Sequence, residues 1–231
     1  MAKILEVDEI RVAYGQSEVI TRMSLSAPEN EVLAVMGLNG MGKTTLMKAL
    51  IGLLPVRGGG IRLAGKDLTR APAFERVRAG LGYVPQGRMV FPTLTVEENL
   101  QSGLAPKERK VPEEIYKFFP VLREMRKRRA GNLSGGQQQQ LAIGRALASR
   151  PKVLLLDEPT EGIQPSIIKE LATTLKQIRA EQGLTIVVSE QVLSFALAVA
   201  DRVLVMARGA IVQESSRSAL DEASLGKLLS I

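Results

Sequence analysis

The chain has 231 residues, 45% apolar and 24% charged, the balance of a soluble globular protein with a sizeable core in one large domain or two closely joined lobes. Aromatic residues at 3%, with no Trp, argue against a stacking surface for single-stranded nucleic acid, and the absence of Cys excludes disulfides and thiol chemistry. The net charge of +7 is concentrated in "LREMRKRRAGN" (122–132) and "PKERK" (106–110). These stretches read as a solvated face, with an anionic membrane surface or nucleic acid as the alternative partner.

In chain order, "MAKILEVDEI" lacks the long apolar stretch of a signal peptide, and no run reaches the roughly 20 apolar residues that span a bilayer, so a cytoplasmic chain is expected. "ILEVDEIRVAY" alternates apolar and polar residues as a strand with one exposed face. "EVLAVMG" is a short buried strand, followed by a helix over "KTTLMKALIGLL" with Leu46, Leu50 and Leu53 at helical spacing. "GGGIRLAG" and "LGYVPQ" are strand candidates, and 96–130 reads as helix broken at Pro106, Pro112 and Pro120. Then come a helix over "QQQQLAIGRALAS", a strand "KVLLLDE", a helix "PSIIKELATTLKQIRAEQG" closed by Gly183, and a strand "LTIVVSE". A helix "LSFALAVA" and a hairpin "RVLVMARGAIVQE" turning at Gly209 follow. Apolar strands alternating with helices predict an α/β fold with a parallel sheet covered on both faces.

Three stretches carry chemistry. "GLNGMGKTT" (37–45) is Gly37, four residues, then Gly42, Lys43 and Thr44, between a buried strand and a helix. Such a loop turns successive N–H groups toward an anion at a helix N-terminus. Lys43 then offers a cation to the β- and γ-phosphates and Thr44 a hydroxyl to Mg²⁺. The plain alternative is a Gly-rich strand–helix turn. "VLLLDEP" (153–159) delivers Asp157 and Glu158 to the carboxyl end of a strand, where open α/β sheets bind ligands. Neighbours on a strand point to opposite sides, so Asp157 is assigned to the Mg²⁺ shell, through water, and Glu158 to the attacking water as general base. "LSGGQQQQLAIGRAL" (133–147) opens a helix with Ser134 at the N-cap, followed by Gly135 and Gly136. Alone it is an ordinary capped helix. As a second anion-ready helix start, it is one more than a single nucleotide needs from one chain.

These stretches, in this order and with "YVPQG" (83–87) between the first two, resemble the ATP-binding cassette (ABC) family from about Ile4 to Ile211. The resemblance implies a P-loop NTPase core with an N-terminal antiparallel β subdomain. A helical signature subdomain at about 87–150 would lie within one nucleotide-binding domain over 1–231. It implies ATP hydrolysis with Mg²⁺ in a head-to-tail dimer with a second ABC ATPase subunit, two ATP lying between the chains. Gly37, Leu38, Asn39, Gly40, Met41, Gly42, Lys43, Thr44 and Thr45 of one chain would face Ser134, Gly135, Gly136 and Gln137 of the other. Gln86 resembles the glutamine that reaches Mg²⁺ and the attacking water. Tyr14 resembles the aromatic that stacks on adenine, although it also reads as an edge-strand Tyr.

Two stretches depart from the family pattern. "SEQ" places Glu190 where a switch histidine usually touches the γ-phosphate, and this chain has no His at all. A carboxylate about 4 Å from a phosphate oxygen would be repelled by a few kcal/mol. Glu190 is therefore expected to act through a water or a cation, with Gln191 as the alternative donor; the plain reading is an exposed strand-end acid. After "DEPT" the chain reads "EGIQ", with Gln164 where an acid is usual. Together with "DEPTEGIQPSIIKE", these features resemble the branched-chain amino acid and urea importers, and "TEGIQPS" resembles the urea transporter's ATP-binding subunit more closely. The implied partners are two integral-membrane permeases, docked on "GRMVFPTLTVEENL" (87–100), and, indirectly, a periplasmic binding protein. The resemblance implies a peripheral protein on the cytoplasmic face of the inner membrane. An ABC-type ATPase acting on nucleic acid is the alternative of a different class. The expected coiled-coil insertion or tandem cassette is missing from this chain, so no nucleic acid is expected.

Overall fold

A computed structural model describes residues 3–105 and 108–219. Pro106 and Lys107, part of the basic stretch at 106–110, lie outside the described residues. The strands are β1 (Lys3–Tyr14), β2 (Ser17–Pro28), β3 (Val32–Met36), β4 (Gly58–Leu63), β5 (Lys66–Asp67), β6 (Leu81–Val84), β7 (Val153–Asp157), β8 (Thr185–Glu190), β9 (Arg202–Ala207) and β10 (Ala210–Ser216). The helices are α1 (Lys43–Ile51), α2 (Ala73–Ala79), α3 (Val96–Gln101), α4 (Glu113–Phe118), α5 (Pro120–Glu124), α6 (Gly135–Leu147), α7 (Pro165–Gln182) and α8 (Leu193–Val199).

A six-stranded sheet runs in the order β10-β9-β3-β8-β7-β6, parallel except where β10 turns back on β9. A four-stranded sheet in the order β2-β1-β4-β5, antiparallel throughout, lies against it. Both the α/β core and the antiparallel N-terminal sheet correspond to the expected fold.

The pleat of the large sheet sorts its residues. Leu33 and Val35 of β3, Val153 and Leu155 of β7, and Val187 of β8 pack into one buried cluster with α1 and the small sheet. Ala34, Met36, Leu154, Leu156, Ile186 and Val188 enter a second cluster with α3 to α8. These strands are buried on both faces, which is why they read as unbroken apolar runs. The buried residues of the helices between 96 and 147 belong to the second cluster, continuous with those of the sheet.

Several elements differ from the sequence-based reading. β2 and α2 lie in stretches that carry no periodic signal strong enough to assign. The stretch 96–130 is broken into three short helices, at Pro112 and Pro120 as expected, with the described residues between 102 and 112 non-helical; Pro120 is the first residue of α5, where its missing N–H is one that a first turn leaves free. The β9–β10 hairpin turns at Arg208 and Gly209, both with positive φ, and a Cβ on Gly209 would lie 1.9 Å from the Val19 carbonyl oxygen.

The far end of α1 is held by Arg76 of α2, which is 2% exposed. Its guanidinium donates to the carbonyls of Ala49 (2.7 Å), Leu50 (2.7 Å), Ala71 (2.9 Å) and Thr69 (3.0 Å). Two of these are last-turn carbonyls of α1, where a cation also meets the negative end of the helix dipole. Burial holds this guanidinium below its ordinary pKa range. Arg76→Met is expected to lower unfolding stability by about 3 kcal/mol, read from urea denaturation, because two buried and two half-buried carbonyls lose the guanidinium that donates to them.

A phosphate loop and two carboxylates at the ends of the parallel strands

β3, β7 and β8 are adjacent and parallel, so their carboxyl ends open on the same side. The chain leaving β3 forms the glycine loop and enters α1 at Lys43, with Gly42 in a left-handed conformation (φ 100°) at the N-cap. A Cβ on Gly42 would meet the Met206 side chain at 2.8 Å, and one on Gly37 would meet the Met206 carbonyl oxygen at 2.6 Å. Glycine is required here both for backbone conformation and for the close approach of β9. α1 has no side-chain cap at its N-terminus, so its first N–H groups face the loop.

Lys43 is buried and donates to the carbonyls of Gly37 (2.7 Å) and Leu38 (3.0 Å). Its Nζ also lies 3.1 Å from Glu158 Oε1, an ion pair with both side chains buried. Thr44 Oγ1 donates to Asp157 Oδ1 at 3.1 Å. Ser189 Oγ donates to the same oxygen at 2.7 Å, and the Tyr83 hydroxyl to Asp157 Oδ2 at 3.4 Å. Burial pushes the Asp157 carboxyl above the ordinary carboxylate range; the hydroxyls of Ser189 and Thr44 oppose the shift, and the Glu158 charge adds to it. Burial, with Asp157 alongside, likewise raises Tyr83.

A cleft of about 340 Å³ is lined by Asn39, Gly40, Gly42, Lys43, Thr44, Thr45, Gln86, Glu158 and Val19. It therefore gathers the phosphate loop, Gln86 from the turn after β6, and the carboxylate from the turn after β7. Met41 is turned to the β9–β10 hairpin: its Sδ accepts from the Arg208 N–H (3.2 Å) and its carbonyl from the Gly209 N–H (3.2 Å). Tyr14 is 46% exposed at the end of β1 and does not line this cleft. Thr44 and Asp157 form a pair of hard oxygen donors at the start of α1, a set that suits Mg²⁺ completed by phosphate and water oxygens.

Glu190 does not lie where it was expected. It is 1% exposed, and its carboxylate accepts four hydrogen bonds. Oε1 takes the Thr160 N–H (3.1 Å) and hydroxyl (2.6 Å); Oε2 takes the N–H groups of Gln191 (2.9 Å) and Val192 (3.1 Å). Among the described residues no cation pairs with it. Burial raises its carboxyl above the ordinary range, against the pull of those four donors. Gln191 is the residue that reaches the site: its Nε2 donates to Glu158 Oε2 at 2.6 Å. The reason is the pleat. Ser189 and Gln191 fall on the Val187 side, toward Asp157 and α1, and Glu190 falls on the side of α7 and α8. Tyr83 and Ser189, which open "YVPQG" and "SEQ" but have no assigned role there, and Val19, which lies in no motif, are further site residues.

Ser134 to Gln137 do not line the cleft. Ser134 caps α6 in a reciprocal pair, its Oγ accepting from Gln137 N–H (3.3 Å) while Gln137 Oε1 accepts from Ser134 N–H (3.0 Å). A Cβ on Gly136 would strike Ile167 at 2.8 Å, so this glycine also admits α7. Gln164 is the N-cap of α7 and makes no side-chain capping bond.

Residues 20–161 match the family model described as ABC transporter. The chain is 39% identical over 221 residues, 94% of either chain, to the high-affinity branched-chain amino acid transport ATP-binding protein BraG of Pseudomonas aeruginosa. It is 33% identical over 223 residues, 95% of this chain and 94% of the other, to the probable branched-chain amino acid transport ATP-binding protein LivF of Archaeoglobus fulgidus. Among solved structures, a nucleotide-free ATP-binding cassette from an ABC transporter superposes with TM-score 0.84 at 28% identity, over 100% of this chain and 96% of that one. A second ATP-binding cassette of an ABC transporter gives 0.85 at 27% identity, over 99% of both. With the loop, the lysine and the paired carboxylates in place, the chain belongs to the ABC transporter family and is one of its ATP-hydrolysing cassettes.

Proposed function

We propose that this cassette powers the uptake of branched-chain amino acids. The observation that carries the reading is the 39% identity to BraG along nearly the whole of both chains. The urea reading rests on "TEGIQPS" alone, and BraG and LivF favour the branched-chain alternative over it. The cassette would sit on the cytoplasmic face of the membrane, held by permeases that receive cargo from a periplasmic binding protein. Among the described residues no helix is long and apolar enough to cross a membrane.

For the permeases, an apolar groove of about 870 Å³ lies between α2 and the turn after β6. Leu53, Phe74, Val77, Met89 and Phe91 line it and are exposed, and Arg78 and Arg145 flank it. The segment 87–100 supplies one wall, which supports its role in docking. Exposed apolar surface of this extent marks an interaction site.

For the reaction, the loop N–H groups and Lys43 would hold the phosphates of ATP. Glu158, with Oε2 on Gln191, would accept a proton from the attacking water, and Gln86 would orient that water from across the cleft. Bound Mg²⁺, held by Thr44 and through water by Asp157, would neutralise phosphate charge. Tyr14 would meet the adenine. Ser134, Gly135, Gly136 and Gln137 lie outside the chain's own cleft, so a second cassette, copy or relative, would present them to the nucleotide head to tail. ATP would bridge the two chains through charge-assisted hydrogen bonds, and its hydrolysis would release them.

The test is reconstitution with the permeases and binding protein in vesicles. Leucine, isoleucine or valine on the binding protein is expected to raise ATP turnover severalfold, and urea to leave it at the basal rate. Stimulation by urea alone would overturn the branched-chain reading.

A further inference from the structure

We propose that Glu190 is a positioning residue for hydrolysis, a four-bond clasp that sets the turn carrying Glu158 against the turn carrying Gln191. The inference rests on the role of Glu158 given above. Three consecutive residues of β8 and its exit hold three points on the exit of β7. Ser189 accepts the Glu158 N–H on its carbonyl (3.1 Å) and Oγ (3.2 Å). Glu190 holds Thr160 by its N–H and hydroxyl, and Gln191 holds the Glu158 carboxylate. Glu158 itself sits at φ 47°, a conformation a non-glycine side chain adopts only where its surroundings impose it. With its other oxygen Glu190 takes the N–H groups of Gln191 and Val192, at the entrance to α8. One carboxylate therefore fixes the backbone two residues after the general base and the backbone of the amide that touches it.

The chemistry of the clasp requires a carboxylate. All four of its bonds are accepted, two on each oxygen, and an ionised carboxylate is the side chain with that capacity. A glutamine of the same shape keeps one oxygen for the N–H groups of Gln191 and Val192 and turns its NH₂ to Thr160, where the hydroxyl can rotate to accept but the N–H cannot, so the clasp loses a bond on the Thr160 side with no change in volume. Both turns stay attached to their strands, but the distance between Glu158 and Gln191 is no longer held. An error of about 1 Å in a reacting group can cost on the order of a hundredfold in rate.

The experiment is steady-state ATP hydrolysis by the full chain carrying Glu190→Gln, alone and combined with Gln191→Ala. The expected result is a fall in kcat of about tenfold or more, with KM for ATP within about twofold of wild type. In the Gln191→Ala background, which keeps the backbone N–H, the same change is expected to cost less than threefold, since the residue it acts through is gone. Turnover within twofold of wild type, or the same fold loss in both backgrounds, overturns the proposal. Thr160→Val, which removes one donor isosterically, covers the case in which Glu190→Gln fails to fold. It is expected to lower kcat severalfold in a protein that still folds, with a melting temperature a few degrees lower for the lost buried hydrogen bond, and wild-type turnover would overturn the clasp. Glu158→Gln run alongside separates the two readings: if it too hydrolyses normally, the assignment of the general base has failed, not the clasp alone.

Discussion

Glu158→Gln is expected to lower ATP turnover by about 10²–10⁴-fold, the usual contribution of a positioned general base, while leaving ATP affinity within a few-fold. The geometry gives the reason for both halves. The buried carboxylate lines the cleft, one oxygen 3.1 Å from Lys43 and the other 2.6 Å from Gln191. A glutamine can keep a carbonyl oxygen toward Lys43, and its NH₂ can turn to the Gln191 amide oxygen, so the shape of the site survives. It cannot take a proton. The variant should bind nucleotide and hold it, and with a second cassette it should accumulate as an ATP-bound dimer on gel filtration in Mg²⁺. Turnover within tenfold of wild type, with the variant folded, would remove Glu158 from the role of base. The Gln191 amide would then be the next group to replace.

Much of this site could be read from the chain because its chemistry is local. A phosphate loop needs glycines, a lysine and a hydroxyl within nine residues, and the buried strand before it and the helix after it were legible from hydrophobic pattern. The same holds for Asp157 and Glu158, which end an unbroken apolar strand. Glu190 was misplaced for an instructive reason. Its position was argued from resemblance, whereas the pleat puts Val187 and Ser189 on one side of β8 and Glu190 on the other, and Gln191, the first residue past the strand, returns to the Ser189 side. Which side faces α1 could not be read from the run itself, because Ile186, Val187 and Val188 are all apolar and the strand is buried on both faces. Other contacts could not be read locally either. The bonds from Tyr83 and Ser189 to Asp157 depend on the β6-β7-β8 order, which no local pattern states. Arg76 could not be known as a buried arginine, because its partners are carbonyls 5–27 residues away. The glycines of "LSGGQ" illustrate a second difficulty. Gly136 is required by the approach of Ile167, so a residue that looks reserved for an anion also serves packing within its own chain.

Lys43→Ala should be the most damaging single change at the loop, and its effect should separate into two parts. The first is loss of ATP affinity: the cation that meets the β- and γ-phosphates is gone, and binding should weaken by about 10²-fold or more, a loss of roughly 3 kcal/mol for one charge-assisted contact. The second is a cost to the fold. Lys43 is buried and answers three acceptors, the carbonyls of Gly37 and Leu38 and the carboxylate of Glu158. Removing one partner of a buried ion pair typically costs about 3–5 kcal/mol, mainly because the other charge is left unpaired. The two parts can be separated by a second substitution. In Lys43→Ala/Glu158→Gln the stranded charge is gone, so urea denaturation should recover a substantial share of the lost stability. Nucleotide binding, followed by calorimetry, should not recover at all. If the double variant is no more stable than Lys43→Ala, the ion pair contributes little to the fold and the loss lies with the loop carbonyls. If Lys43→Ala binds ATP as wild type does, the phosphate cradle is not where the nucleotide is held.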